Sequence, residues 1–350
     1  MGRLTLNFLK MSHFRTHKSS IIESSGKSIV IVGSNGVGKT NILEAISLLS
    51  PGRGFRRATF EQISRRPDLV GWKVSAEIEI LGNTHEISTW WDNSSSRKIT
   101  IDGKFTNQIE LGRLVRVLWI TPLMDRIWLD GSIDRRRFLD RVVSTLISDH
   151  IENNIKYYNA LKQRNRLIKD RIFDANWYTA LEHQMAVFGF EIDASRREVL
   201  SRIMNTQENS HSAFPMAKLN LIGSVFNNSE EFEKALKNGR QKDIFAGRTL
   251  IGPHLSDLSA IYSSKGIEAK SCSTGEQKAL LISIIIASAK LQLEEFSSPP
   301  ILLFDEISAH LDANRRSLLY DELRNLGAQV FLTGTDIEIF NELKNQVDYV

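Results

Sequence analysis

The residues of this chain with the clearest chemical purpose form a glycine-rich loop between a strand and a helix. The loop follows the short β-branched run 28–32 and precedes the helical pattern 41–49. Glycines let a backbone curl around an anion, and a helix N-terminus adds a partial positive charge. In this context GSNGVGKT has the Walker A pattern, which predicts a phosphate-binding loop. Its residues are Gly33, Ser34, Asn35, Gly36, Val37, Gly38, Lys39 and Thr40.

Two side chains of this loop suit a nucleotide and its metal ion. Lys39 is placed to reach the β- and γ-phosphates, and the hydroxyl of Thr40 is placed to ligate Mg²⁺. The alternative to nucleotide binding is a glycine-rich turn before an ordinary helix. The flanking strand and helix favour nucleotide binding over that alternative.

A second acidic pattern lies far along the chain, after the apolar strand 301–304. Asp305 and Glu306 follow that strand directly. Beside a phosphate-binding loop, Asp305 would hold Mg²⁺ through water and Glu306 would act as the general base for an attacking water. A buried strand that happens to meet an acidic turn is the alternative, and the upstream loop weakens it.

A third pattern stands about thirty residues before this strand, at the start of the apolar helix 279–293. It consists of Ser273, Thr274, Gly275, Glu276 and Gln277. Small and polar residues at a helix N-terminus form an anion-binding site, although the same residues by themselves are typical of an N-cap.

A fourth short sequence, Ser-Ala-His-Leu-Asp, follows Glu306 at positions 308–312. It ends at Asp312.

These residues require an α/β scaffold to position them. Alternation and turn residues predict strands at 4–9, 73–80, 84–91, 97–101 and 115–120. We expect a serine-containing loop at 19–26. Closely spaced strands pair antiparallel, so the parallel sheet around the glycine-rich loop is expected to carry an antiparallel β-subdomain, with 115–120 among its strands. Further strands are predicted at 258–263 and 329–333, and a helix at 313–326.

The middle of the chain changes to helical periodicity. Residues 134–209 contain two apolar stripes with a break at 173–176, which predicts an antiparallel hairpin of coiled-coil type. The residues of the first stripe are Asn154, Tyr158, Leu161, Asn165, Ile168 and Ile172. The polar segment 209–229 is expected to be an irregular return path, after which the strand 258–263 rejoins the nucleotide-binding core. The predicted domains are residues 1–125 (first part of the head), 126–245 (helical lobe) and 246–350 (second part of the head).

Composition excludes several classes of protein. The chain has 350 residues, a formal net charge of +4 and one cysteine, Cys272, so an intrachain disulfide is excluded. The most apolar run is about half the length that a bilayer requires. We therefore expect a soluble, cytoplasmic protein with no membrane partner. The mild positive charge permits a nucleic-acid partner without requiring one.

The order of the motifs resembles that of ABC-type ATPases, with Walker A, signature, Walker B and D-loop. The resemblance implies that two ATP-binding heads sandwich ATP, each signature touching the γ-phosphate held by the partner, and hence an ATP-dependent homodimer. Lys39 and Gly275 are 236 positions apart (275 minus 39). This spacing exceeds that of transporter ATPases and falls short of SMC/Rad50 proteins, and it leaves room for one helical hairpin.

Nearly the whole chain resembles the RecF family of recombination mediators. The matching segments are Phe14-Arg15, GSNGVGKTNILEAI with the following SPGRGFR, Thr121-Pro122, Gly131, Arg136-Arg137, Phe138-Leu139-Asp140, Ile251-Gly252-Pro253-His254, STGEQKALL, LLFDEISAHLD and FLTGTD. The resemblance implies an ABC-ATPase head of the Rad50/SMC type. It also implies ATP and Mg²⁺ as cofactors, and a weak, DNA-stimulated ATPase that acts as a switch.

In function, the resemblance implies recombinational gap repair and replication restart. The partners would be duplex DNA, single-strand/duplex junctions, RecR, RecO and RecA, with RecA loaded near single-strand gaps. Position 255 departs from the family pattern, because Leu255 stands where a basic residue is expected. Asp257 matches the family pattern. Thr333 stands where transporters have a switch histidine, so we expect weak γ-phosphate sensing. Gln108 is only a candidate for the Q-loop glutamine.

Basic residues that would contact DNA phosphates occur in three groups. They are Arg53, Arg56 and Arg57; then Arg135, Arg136, Arg137 and Arg141; and Lys162, Arg164, Arg166, Lys169 and Arg171 on the predicted hairpin. A solvated helix face explains the third group equally well. The pair Trp90-Trp91 is expected to pack mainly in the core.

Two other functions remain open. A different SMC/Rad50-like ATPase, such as a defence ATPase with a nuclease partner, would lack interaction with RecR or RecO. A transporter ATPase subunit would copurify with membrane proteins and ignore DNA, and the long insertion between Walker A and the signature argues against it.

Overall fold

The computed structural model describes residues 3–210, 212–307, 311–343 and 346–350. They divide into two compact units. The first unit comprises the residues up to Arg126, Thr206–Met216 and Ser273–Val350, and the second comprises Ile127–Asn205 and Ala217–Cys272. The helical lobe was predicted to end at residue 245, whereas residues 246–272 lie in the second compact unit.

The described residues form both strands and helices. The strands are β1 (Leu4–Phe14), β2 (His17–Glu23), β3 (Ser28–Val32), β4 (Trp72–Ile80), β5 (Asn83–Trp91), β6 (Lys98–Ile101), β7 (Lys104–Thr106), β8 (Val117–Ile120), β9 (Ala217–Ile222), β10 (Asp257–Tyr262), β11 (Ile267–Glu268), β12 (Ile301–Phe304), β13 (Val330–Gly334) and β14 (Val347–Tyr349). The helices are α1 (Lys39–Ser47), α2 (Phe60–Ile63), α3 (Gln108–Leu114), α4 (Ser132–Ser144), α5 (Asp149–Lys169), α6 (Ala175–Asn209), α7 (Ser229–Ala246), α8 (Thr274–Phe296) and α9 (Ala313–Leu326).

The first unit contains a parallel sheet with the strand order β14-β3-β13-β12-β8. Its strands β8 and β12 are buried along their whole length, which explains their uninterrupted apolar sequences. Strand β8 corresponds to the predicted strand 115–120, but the prediction that it pairs antiparallel with its predecessors was wrong. It pairs parallel with β12, from Ile301↔Val117 to Phe304↔Ile120.

The first unit also contains an antiparallel sheet with the order β2-β1-β4-β5-β6-β7, which confirms the predicted β-subdomain. Its edge strand β2 occupies the segment that we expected to be a loop. Only Ile22 is buried in this strand, because an edge strand pairs on one side and tolerates polar residues. No alternating pattern therefore marks β2 in the sequence.

A single glutamine side chain ties the two sheets together. The Nε2 of Gln329, just before β13, donates to the carbonyl of Leu6 at 3.0 Å and to that of Lys27 at 3.0 Å. Its Oε1 accepts from the Leu6 N–H at 2.7 Å. One continuous apolar core contains residues of β1, β3, β4, β12 and α1, so the parallel sheet that carries the motifs is held against the antiparallel one.

The second unit is built around α5, α6 and α7. Residues of all three helices share one hydrophobic cluster, which includes Leu161, Leu181 and Leu236. The predicted hairpin is confirmed. Its helices are antiparallel, because Gly189 of α6 packs against Tyr157 of α5, whereas Glu182, earlier in α6, pairs with Arg164, later in α5, at 3.1 Å.

A small antiparallel sheet, β11-β10-β9, completes the second unit. Strand β9 lies in the segment 209–229, which we expected to be irregular, and its alternate residues are buried. Strand β10 matches the predicted strand 258–263, but it pairs with β9 from Asp257↔Ile222 to Tyr262↔Ala217. The expectation that this strand rejoins the nucleotide-binding core was therefore wrong.

Candidate functional site

The Walker residues converge where the strands of the parallel sheet end. Strands β3, β12 and β13 run parallel, with Gly334 opposite Val32 and Phe304 opposite Leu332. The chain leaves β3 into the glycine-rich loop and leaves β12 into Asp305. Carboxyl ends of neighbouring parallel strands form the usual ligand-binding edge of an α/β sheet.

The glycine-rich loop adopts a backbone that only glycine takes readily. Gly36 has φ +90° and Gly38 has φ +108°, both in the left-handed region. Gly38 also packs closely against the start of β2, because a Cβ there would be 2.8 Å from His17 Nε2. Helix α1 begins immediately afterwards at Lys39, so its positive N-terminal end points into the loop.

Lys39 is nearly buried and lies across the loop. Its Nζ donates to the carbonyls of Gly33 at 2.5 Å and Ser34 at 3.1 Å. It also lies 3.9 Å from the carboxylate of Glu306. The Walker A lysine and the Walker B glutamate, 267 positions apart (306 minus 39), therefore face the same space.

The predicted metal ligands are in direct contact. The Thr40 hydroxyl donates to Asp305 Oδ1 at 3.1 Å. Burial raises the pKa of Asp305 above its ordinary value, and the hydroxyls of Thr333 and Thr40 oppose that rise. One hydroxyl and one carboxylate fit Mg²⁺, which keeps several waters and takes few protein ligands. The described residues contain no cluster of three or more His, Cys, Asp or Glu that could hold a metal ion.

Thr333 was predicted only as the residue that replaces a switch histidine, and its actual contacts were missed. Its hydroxyl donates to Asp305 Oδ1 at 2.8 Å and accepts from the Glu306 N–H at 2.9 Å. Glu306 itself has φ +49°, a strained conformation for a residue with a side chain. Thr333 thus fixes both acidic residues. Sequence offered no signal for this role beyond a polar residue at the end of an apolar strand.

The predicted signature residues lie at the start of α8. Ser273 is the N-cap and Glu276 completes a capping box, with Ser273 N–H to Glu276 Oε2 at 2.9 Å and Glu276 N–H to Ser273 Oγ at 3.4 Å. The N-cap alternative is therefore realised in the structure, and the nucleotide contact stays a prediction. Thr274 and Gly275 follow in the first turn, and Gln277 is buried.

The D-loop aspartate lies beside the signature. Asp312 caps α9 by accepting from the Arg315 N–H at 2.8 Å. The Arg315 guanidinium pairs with the Asp312 carboxylate at 3.6 Å, and a Cβ on Gly275 would be 2.9 Å from Arg315 Nη1. The preceding predicted D-loop residues 308–310, with His310, lie outside the described residues.

A buried carboxylate on α1 anchors two arginines near the glycine-rich loop. Glu44 is fully buried and accepts from Arg15 Nε at 2.8 Å and Arg15 Nη2 at 2.6 Å. Arg56 pairs with the same carboxylate at 3.3 Å and donates to Asn41 Oδ1 at 2.8 Å. Arg56 was predicted as a DNA contact, but its guanidinium is engaged here.

Several other predicted DNA contacts are structural. Arg164 is fully buried and pairs with Glu182 at 3.1 Å and Asp243 at 2.7 Å, so the prediction that it contacts DNA was wrong. Arg135 forms a bidentate pair with Asp257 at 2.7 and 2.9 Å. Arg136 is buried and donates to the Ser256 carbonyl at 2.6 Å.

The Gly-Pro-His segment 252–254 is also part of the second unit's interior. Gly252 has φ +126°, and a Cβ there would overlap the Tyr157 hydroxyl. That hydroxyl is hydrogen-bonded to His254 Nδ1 at 2.7 Å. The buried Arg196 donates to the Pro253 carbonyl at 2.7 Å. This motif therefore builds the fold, while Leu255, which replaces a basic residue, is exposed.

Within the described segments, no helix has the length and apolar character needed to span a membrane. Gln108, the candidate Q-loop residue, begins α3 and its Oε1 accepts from the Gly52 N–H at 2.8 Å.

Comparison with known proteins extends over the whole chain. The model of the RecF/RecN/SMC N terminal domain matches residues 5–349. The DNA replication and repair protein RecF of Rhizobium rhizogenes is 39% identical over 99% of this chain and 96% of its own. The RecF of Rhizobium meliloti is also 39% identical, over 99% of this chain and 97% of its own.

Solved structures show the same fold. A structure described as the recombination mediator RecF with ATP in the RecFOR pathway has a TM-score of 0.80 and 24% identity, covering 96% of this chain and 95% of that one. A Smc head from Pyrococcus furiosus, bound to the C-terminal domain of ScpA, has a TM-score of 0.55 and 16% identity, covering 99% of this chain and 93% of that one. The predicted ABC-ATPase head of the SMC type is thereby confirmed.

Proposed function

The chain belongs to the RecF family of DNA replication and repair proteins, and from that premise we propose that it is an ATP-switched DNA-binding protein of recombinational gap repair and replication restart. The observation that carries the proposal is the contact of Thr40 with Asp305, beside Lys39 and Glu306. Those four side chains are the minimum set for holding and hydrolysing a nucleoside triphosphate.

In this proposal the glycine-rich loop and Lys39 hold the phosphates of ATP. Thr40 and Asp305 would hold Mg²⁺, which when bound neutralises charge on the phosphates. Glu306 accepts the proton of an attacking water, because its side chain reaches open space from a fixed backbone. Thr333 offers a neutral hydroxyl where transporters carry a histidine, and we therefore expect slow hydrolysis that times a switch.

The position of the signature residues supports the proposal of an ATP-dependent homodimer. Ser273 and Thr274 are exposed, so the N-terminal end of α8, with its partial positive charge, lies at the surface of the first unit. We propose that this end binds the γ-phosphate of ATP held by a second copy. ATP would then join two heads, and hydrolysis would release them.

The proposed partners are duplex DNA next to single-strand gaps, and RecR, RecO and RecA, in the cytoplasm. The relatives named RecF and the RecF structure described within the RecFOR pathway support this part. Duplex binding is expected to depend on ATP and to weaken steeply with salt, because cation–phosphate contacts release counterions. Arg53 and Arg57 remain exposed candidates for such contacts.

Light scattering tests the proposal most directly. Glu306→Gln should bind ATP without hydrolysing it, so its mass should double with ATP and the dimer should tighten on a gapped duplex. Lys39→Ala, which removes the phosphate contact, should stay at its ATP-free mass. If Glu306→Gln showed no ATP-dependent change in mass, or Lys39→Ala still dimerised and bound duplex with ATP, the switch mechanism would be wrong.

A further inference from the structure

An arginine from a different helix lies against the signature glycine. Arg315 belongs to the first turn of α9 and stands 40 positions after Gly275 (315 minus 275). A Cβ built on Gly275 would lie 2.9 Å from Arg315 Nη1. Gly275 is part of the regular helix α8 and has no left-handed backbone that would require glycine. Its missing side chain therefore provides the room that the guanidinium of Arg315 occupies.

This guanidinium is only loosely engaged within its own chain. Its Nε lies 3.6 Å from Asp312 Oδ2, in a pair whose side chains are 37% and 59% exposed. Exposed pairs of this kind contribute little to stability. Among the described residues, none forms a hydrogen bond with Nη1 or Nη2 of Arg315. A guanidinium carries five N–H donors in a fixed fork, so Arg315 has donors available for a further acceptor.

The charges around this end of α8 show why a cation is needed there. Glu276 closes the capping box of α8, and Asp312 caps the neighbouring α9. Both carboxylates would repel a phosphate, and the partial charge of a helix N-terminus, about half an elementary charge, does not offset them. Lys278 is buried and pairs with Asp125 at 3.1 Å. Arg315, by contrast, is in contact with the signature and has donors to offer.

We propose that Arg315 is a further residue of the ATP switch, and that it contacts the γ-phosphate of ATP held by a second copy of this chain. The inference rests on the proposed ATP-dependent dimer and names the side chain that supplies its positive charge. Arginine suits this role because its planar fork donates two parallel hydrogen bonds to phosphate oxygens. ADP lacks the phosphate that Arg315 contacts, so the dimer separates after hydrolysis.

The expected effect of losing Arg315 is large because a symmetric dimer contains the contact twice. Loss of one hydrogen bond to a charged group weakens binding by about tenfold or more. Replacing Arg315 should therefore weaken ATP-dependent dimerisation by about a hundredfold. Binding of ATP by the single chain should not change, because Lys39 and Thr40 are untouched.

The test is light scattering with ATP at a series of protein concentrations, in the Glu306→Gln protein, which is expected not to hydrolyse ATP. Adding Arg315→Gln should raise the dimer dissociation constant by about a hundredfold. Arg315→Lys keeps the charge and should raise it by about tenfold or less. Gly275→Ala should also weaken the dimer, because its methyl group enters the space of the guanidinium.

The matched control is Arg324→Gln, at the other end of α9. Arg324 also pairs with an aspartate three residues earlier, Asp321, and its side chain is similarly exposed at 42%. This variant should dimerise like its Glu306→Gln parent. Circular dichroism melting checks that every variant is folded. Fluorescent-nucleotide binding by the dilute single chains should be equal in all of them.

A mixture of two defective proteins tests whether Arg315 acts between copies. Arg315→Gln keeps its glycine-rich loop and Lys39→Ala keeps its arginine, so a mixed pair contains one complete site. ATP turnover should be low for each protein alone and should rise on mixing. No rise on mixing, or weaker nucleotide binding by the single Arg315→Gln chain, would place Arg315 at the ATP of its own chain and overturn the proposal.

The outcomes separate this inference from the proposed function. If Glu306→Gln dimerises with ATP and Arg315→Gln leaves that dimer as strong as Arg324→Gln does, the role of Arg315 is wrong and the ATP-dependent dimer stands. If Glu306→Gln itself does not dimerise with ATP, both are wrong.

Discussion

At the scale of single residues, the hydroxyl of Thr333 forms hydrogen bonds to both acidic residues that follow β12. It donates to Asp305 and accepts from the backbone of Glu306. Both bonds are buried from water, since Thr333 is 1% exposed, and a buried donor or acceptor without a partner is costly. Thr333 is thus a positioning residue for the metal ligand and for the base.

Substituting this hydroxyl tests that role. Thr333→Val should weaken Mg²⁺-dependent nucleotide binding by about tenfold, because one lost buried hydrogen bond costs about 1–3 kcal/mol. Thr333→Ser keeps the hydroxyl and should behave like the natural protein. The measurement is an Mg²⁺ titration of fluorescent-nucleotide binding, read separately from turnover. Identical Mg²⁺ dependence in the Val and Ser variants would show that the hydroxyl does not position Asp305.

At the scale of elements, the third helix α7 determines which face of α5 is buried. The predicted stripe of α5 included Tyr158 and Ile172, which are exposed, while Tyr157 and Leu167 are buried. A two-helix seam buries a narrow stripe, whereas a helix packed on two neighbours buries a wider arc. This wider arc encloses Arg164 together with its acidic partners on α6 and α7.

Breaking the Arg164 cluster should destabilise the second unit. Arg164→Ala leaves Asp243 buried without the cation that pairs with it, while Glu182 keeps its pair with Arg240 at 2.6 Å. Removal of one partner of a buried pair typically costs about 3–5 kcal/mol. Lys162→Ala, two residues away and exposed, should change the free energy of unfolding by less than about 0.5 kcal/mol. Urea unfolding at neutral pH measures both. Similar stability of the two variants would mean that Arg164 contributes little.

At the scale of the whole molecule, polar groups buried in the second unit should make the protein sensitive to acid. Burial lowers the pKa of His254 from 6.5 to about 4, and the nearby Arg136, Arg164 and Arg196 lower it as well. Burial opposes ionisation of Asp140, but Arg196 and His150 hold its pKa at about 2, below the ordinary 3.8. Both groups therefore bind protons more readily in the unfolded chain.

The sign of the pH effect follows directly. The contribution of His254 is complete above pH 6.5 and is lost as the pH falls towards 4, because the unfolded state then takes up a proton that the folded state refuses. Allowing for partial exposure, the loss is about 2–3 kcal/mol. Asp140 adds a second loss between pH 3.8 and 2.

Urea unfolding at several pH values between 7 and 4 measures the effect of His254. His254→Gln should show a shallower dependence of the free energy of unfolding on pH across that window, whatever its stability at pH 7. Parallel pH profiles of the variant and the natural protein would contradict the assignment.

The sequence by itself determined the local chemistry of this protein. Phosphate binding needs glycines with left-handed backbone, a lysine and a hydroxyl at fixed spacing, and these constraints act within the eight residues 33–40. Strand, loop and helix at β3 and α1 follow from the same short-range rules, as do the carboxylates after β12. The antiparallel subdomain and the helical hairpin were also predictable, because their periodicities are local.

Only the tertiary structure decided the long-range partners. Periodicity shows that 117–120 and 257–262 are strands but not which strands they pair with. The first pairs parallel with β12 and the second antiparallel with β9, and both partners are far away in sequence. The contact of Thr333 with Asp305 depends on the pairing of β12 with β13. From the sequence, Arg164 is expected to be a surface cation. In the folded protein it is buried against Asp243, 79 residues away. Burial of a charge is set by partners that folding brings together, and a local pattern carries no information about them.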